Sequence, residues 1–199
     1  MPELHPVAER LERRLCGNLA AAFDLAFDAS GLDKDATLQR AHPDGNNAPT
    51  PPAGLGLDPA KPPLWAIVHF GEADIADGDD DGFACGVTSY VLDLDVEVHL
   101  TGPLPREDPD GPDDDATNPT LHPRAWAHRV QTTILQTLQA DDGQLPEDGP
   151  GTASARLCTG LDLRGTYGPI IKTNNRDTEA GVEAILRFRH AEDDPYTLG

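Results

Sequence analysis

The chain has 199 residues, 38% of them apolar, with 19 Pro and 19 Gly, enough for one domain with a real core and long stretches outside it. Its formal charge is −20, from 35 acidic against 15 basic residues, and Lys occurs only at positions 34, 61 and 172. Such a surface repels phosphate backbones and argues against tight DNA binding, because no run of Lys or Arg builds a local basic patch.

Residues 3–29 read as an amphipathic helix. Leu4, Val7, Ala8, Leu11, Leu15, Leu19, Ala22 and Ala26 recur at three- and four-residue spacing, with Glu9, Arg10, Glu12, Arg13 and Arg14 on the other face and Ser30-Gly31 as a stop. Residues 31–63 hold Pro43, Pro49, Pro51, Pro52, Pro59, Pro62 and Pro63, which predicts a long irregular connection. Leu64 to Gly71 reads as a short strand. Val87 to Leu100 alternates clearly: Tyr90, Leu92, Leu94, Val96, Val98 and Leu100 fall on one face, and Asp93, Asp95, Glu97 and His99 on the other.

Residues 102–122 form a second acidic, Pro-rich loop. Pro123 to Ala140 predicts a second helix, with Pro123 at a first helical position and Trp126, Val130, Ile134 and Leu138 as its buried stripe. A loop over 141–154 leads to a third strand at Ala155–Arg164, with Leu157, Leu161 and Leu163 on one side. A fourth covers Gly181–His190, where Val182, Ala184, Leu186 and Phe188 alternate with Glu183, Arg187 and Arg189. The tail carries an Asp-Asp-Pro-Tyr turn. The order α-β-β-α-β-β predicts a single α+β domain over 1–199, a mainly antiparallel four-stranded sheet with both helices on one face.

The polar face of the second strand is acidic (Asp93, Asp95, Glu97) and that of the fourth is basic (Arg187, Arg189). If the strands are neighbours, cross-strand pairs would contribute about 0.2–1 kcal/mol each. If not, the two stripes are candidates for contacts between subunits, and a merely solvated face is the plain alternative.

Chemistry-bearing motifs are sparse. Asp77-Gly78-Asp79-Asp80-Asp81-Gly82 opens like a calcium loop, but position twelve is Thr88 rather than Glu and strands flank it. It reads as an acidic turn, and any bound cation would fall to Asp77, Asp79 and Asp81. The seven His never stand at helical i, i+4 spacing, so no metal or other cofactor is expected. Cys16, Cys85 and Cys158 are far apart and without zinc-type spacing, which predicts free thiols in a reducing compartment. There is no nucleophile elbow, no phosphate-cradling loop and no dinucleotide fingerprint. Met1-Pro2-Glu3 opens a charged stretch rather than a signal peptide, and no apolar run approaches a membrane span, so a soluble protein made in the cytoplasm is expected.

The alternating strand Tyr90–Leu100, the Trp-bearing helix Ala125–Leu138, and a final block resemble the tail terminator (tail-completion) family of long-tailed phages. That block runs Leu161-Asp162-Leu163-Arg164, then polar Lys172–Glu179, then Gly181–Arg189 and Asp193-Asp194-Pro195-Tyr196. The resemblance is one of pattern over residues 64–102 and 121–196, and the Pro-rich segments 31–63 and 102–122 depart from it. It implies a non-enzymatic α+β virion subunit at the head–tail junction. Six copies would ring the tail tube, end its growth and offer a docking surface to the head-completion or stopper protein, with DNA passing the acidic lumen unbound. Asp93, Asp95, Glu97, Arg187 and Arg189 are the candidate contact residues. Another head–tail connector or neck protein, a cation-stabilised binding module and a small hydrolase with a carboxylate pair are the competing expectations.

Overall fold

Val7, Leu11, Leu15, Leu19, Phe23 and Phe27 stand four apart and are all buried along α1 (Val7–Phe27). A turn takes about 3.6 residues, so a four-residue repeat drifts round the helix and gives it a winding rather than a straight apolar stripe. The structure, a computed structural model, describes residues 5–27, 38–41, 64–76, 87–101, 104, 106–108, 111–112, 114, 116–172 and 177–199.

The strands are β1 (Leu38–Ala41), β2 (Leu64–Ile75), β3 (Val87–Thr101), β4 (Gly160–Lys172), β5 (Asp177–Ala191) and β6 (Asp194–Leu198). The second helix, α2 (Pro123–Gln139), lies between β3 and β4 in the chain. Its N-terminus is set by Pro123 at the first position and by His122, whose Nδ1 accepts from the Arg124 backbone N–H at 3.3 Å. It gives way to a short 3₁₀ turn, Ala140–Gly143, where Asp141 and Asp142 take positive φ.

The sheet runs β1-β2-β3-β5-β4, with β1 parallel to β2 and the other pairs antiparallel. β3 occupies one side of the β5 end (Val87 opposite Ala191), so β6 pairs on the other side, beyond the start of β4. Alternation along β3 and β5 turns Leu92, Leu94, Val96, Val98, Leu100, Val182, Ala184, Leu186 and Phe188 to one face. Both helices bury Leu11, Leu15, Trp126, Val130 and Ile134 against it. Burying each such side chain contributes about 1.5–3 kcal/mol. The helices also meet directly: the Arg129 guanidinium stacks 4.9 Å from the Phe27 ring centre and donates to the Ala26 carbonyl at the end of α1. There a positive charge also suits the helix dipole.

The mixed α+β class with two helices is as the sequence predicts; the four-stranded sheet and its element order are not. Residues 38–41, inside the Pro-rich connection, form β1, a strand too short for alternation to reveal. The tail turns at Glu192-Asp193 and returns as β6, with Pro195 tolerated because the strand is short and peripheral. The third strand starts later and runs further than Ala155–Arg164. Leu157 is core before the strand begins, whereas Leu163 is 41% exposed, so they share no buried face.

The described parts of 102–122 and 141–154 are more structured than their composition suggests. Asn118 is buried and takes both donor and acceptor roles, bonding the Asp108 N–H (3.0 Å) and carbonyl (2.7 Å). The bridge between Arg106 and Thr120 closes that loop, and one between Pro146 and Arg156 closes the next. Among the described residues no helix is long and apolar enough to cross a membrane.

Candidate functional site

The alternation that sends Leu94, Val96 and Val98 to the helices sends Asp93, Asp95, Glu97 and His99 to the opposite face. Register then adds neighbours in three rows: Trp65, His99 and Glu179; Ile67, Glu97, Gly181 and Tyr167; His69, Asp95 and Glu183. Trp65, Ile67 and Glu179 are buried although they lie on the side away from the helices.

Glu97 is the hub. Its Oε2 lies 3.2 Å from His69 Nε2, and its Oε1 lies 3.0 Å from His99 Nε2, close but poorly aligned for a hydrogen bond. His99 Nδ1 is 3.9 Å from Glu179 Oε2, and the His99 ring stacks on Trp65 with centres 4.4 Å apart. The His99 ring beside Glu97 holds its carboxyl down at about 2, against the opposing push of burial.

Asp95 is held from the far side. The Tyr167 hydroxyl donates to Asp95 Oδ1 at 3.0 Å, while Gln131 of α2 donates to the Tyr167 carbonyl at 2.8 Å and fixes the backbone the phenol leaves from. A Cβ on residue 181 would overlap the Tyr167 ring, so glycine there lets the side chain lie across β5. Burial raises the Asp95 carboxyl and the Tyr167 hydrogen bond pulls it back; burial and the Asp95 charge together raise the phenol. A groove of ≈ 620 Å³ opens onto this face, lined by Ala41, His69, Asp93, Asp95, Arg164 and Glu183.

The second feature is an edge. β4 ends the sheet order, so one side of its backbone has no strand partner among the described residues. Leu163, Ile170 and Ile171 on it are 41%, 43% and 47% exposed. Long apolar edge strands are ready templates for pairing with another chain.

No family model matches the chain, and neither does any curated protein.

The candidate contact residues are brought onto one sheet face, but not into charge pairs. β3 and β5 are neighbours, yet Arg187 stands opposite Val91 and Arg189 opposite Ser89, while Asp95 faces Glu183 and Glu97 faces Gly181. The acidic and basic stripes are displaced along the strands, and Arg187 instead bonds Asp162 of β4 through Nε (3.1 Å) and Nη2 (3.0 Å). Both partners are exposed, so that pair adds little stability. Asp77, Asp79 and Asp81 lie outside the described residues. Sequence reasoning missed His69, His99, Tyr167 and Glu179 as a group. The signal was present as two matching alternations, Trp65-x-Ile67-x-His69 and Asp95-x-Glu97-x-His99, but the register between them is needed to read it.

Proposed function

We propose that the chain is a structural subunit that assembles head to tail into a ring, in the manner the tail terminator resemblance implies. The ring caps the tail tube, stops its growth and presents a docking surface for the head. The observation that carries this reading is the β4 edge, with one side that has no strand partner among the described residues and with exposed Leu163, Ile170 and Ile171. A contact that uses this edge on one copy and a different patch on the next is heterologous, and such contacts close into rings when the rotation fits. The charge of −20 supports a lumen past which DNA slides, since like charges repel. Partners are then copies of itself, the tail tube protein and the head-completion protein.

Deleting the coding sequence from a particle-producing strain tests the role. The expected result is tails of uncontrolled length without heads, restored by the protein supplied in trans. Normal tails and infectious particles in the deletion strain would overturn the reading.

A further inference from the structure

We infer that His69, Asp95 and Glu97 form a site for one borderline divalent cation of the Zn²⁺ class, beside the groove that His69 and Asp95 line. The ligand atoms these three side chains offer all lie within 4.8 Å of one another. Two ligands each about 2.1 Å from an ion, at tetrahedral or octahedral angles, stand about 3.0–3.4 Å apart. His69 Nε2 and Glu97 Oε2 stand 3.2 Å apart.

Supports behind the ligands resemble those of metal sites, where outer partners orient the ligating groups. Tyr167 donates to one oxygen of Asp95 at 3.0 Å, and His99 Nε2 lies 3.0 Å from the Glu97 oxygen turned away from His69. His99 is in turn fixed by stacking on Trp65. The groove brings solvent to His69 and Asp95, which supplies both an entry path and room for water as a remaining ligand.

The charge balance is the independent observation. Asp95 and Glu183 stand directly opposite one another on β3 and β5, and Asp93 lines the same groove, with Arg164 the basic residue among its lining. Like charges set opposite one another in a sheet destabilise it. A dication beside Asp95 and Glu97 offsets that charge. One nitrogen and two carboxylate ligands favour Zn²⁺ or Co²⁺ over the all-oxygen preference of Ca²⁺ and Mg²⁺. The three ligands belong to β2 and β3 rather than to β4, and the site holds whether or not the chain forms rings.

The test uses the full chain, stripped with chelator and titrated with Zn²⁺ and with Co²⁺ against a chromophoric competitor, alongside Ca²⁺ and Mg²⁺. The expected result is one Zn²⁺ per chain, with Co²⁺ giving ligand-field bands. His69→Gln, at a half-exposed position that leaves the core alone, is expected to weaken binding about 100-fold. Tyr167→Phe, which keeps all three ligands but removes the hydrogen bond to Asp95, is expected to weaken it about tenfold. Far-UV circular dichroism checks that both variants fold. No Zn²⁺ uptake, or uptake that His69→Gln leaves unchanged, overturns the assignment, as does equal uptake of Ca²⁺ or Mg²⁺.

Discussion

The Tyr167 hydroxyl crosses β5 to reach Asp95 on β3, 3.0 Å away, and does so over a glycine, Gly181. Three strands are thereby tied on the face away from the helices, by a side chain whose own strand lies at the sheet's edge.

That arrangement makes Gly181 sensitive to its smallest replacement. In Gly181→Ala the new methyl meets the Tyr167 ring and the Val96 carbonyl oxygen, so the ring must leave Asp95. Forced overpacking of this kind costs about 1–3 kcal/mol. Urea denaturation is expected to show a lowered midpoint with little change in slope, and a midpoint equal to wild type would mean the phenol does not lie there.

One helix offers an internal contrast. Leu19 is fully buried on α1 and Leu25 is 91% exposed on the same helix. Leu19→Ala is expected to destabilise by about 2–5 kcal/mol, and Leu25→Ala by no more than about 0.5 kcal/mol. Thermal unfolding of the two variants reads the difference. Similar losses would mean that α1 presents another face to the sheet.

The thiols give a pH-dependent expectation. Burial pushes Cys16 from its ordinary value of 9.0 up to about 12, and burial also raises Cys158. The thiolate is the reactive form, so at pH 8 folded Cys16 carries about a thousandth of the thiolate of an unperturbed thiol. Folding favours its neutral form; the stability this confers is complete below about pH 9 and falls as pH rises towards 12. Alkylation followed by peptide mass spectrometry is expected to spare Cys16 and Cys158 in the native protein and modify both in urea. Rapid native labelling of Cys16 at pH 8 would contradict its burial.

Much of the core was legible because it rests on periodicity. The helix stripes and the Leu92–Leu100 alternation announce buried faces without knowledge of partners: Val7, Leu11, Leu15, Leu19, Trp126, Val130, Ile134, Leu138 and the alternating Leu and Val of Leu92–Leu100 are buried, whereas Ala8, Ala22 and Ala26 are only half-buried and Leu4 lies outside the described residues. β1 and β6 were not legible, because four or five residues carry no resolvable period and their pairing depends on β2 and β5 being in place. β4 was misplaced for a related reason: two bulges break its alternation, between Leu163 and Gly165 and between Tyr167 and Ile170. The ionisable face shows the limit most clearly. Asp95 and Glu97 stand out in one strand, but their closeness to His69 and Tyr167 is a property of register, set by strands 28 and 72 residues away in the chain.

Sedimentation velocity of the purified protein beside the double variant Leu163→Lys/Ile170→Lys bears most directly on assembly through β4. Lysines on an edge strand block pairing without entering the core. The account predicts a ring-sized species for the wild type, six-fold in electron micrographs, and a monomer for the variant. A wild type that stays monomeric at every concentration, or a variant that assembles equally well, would contradict it.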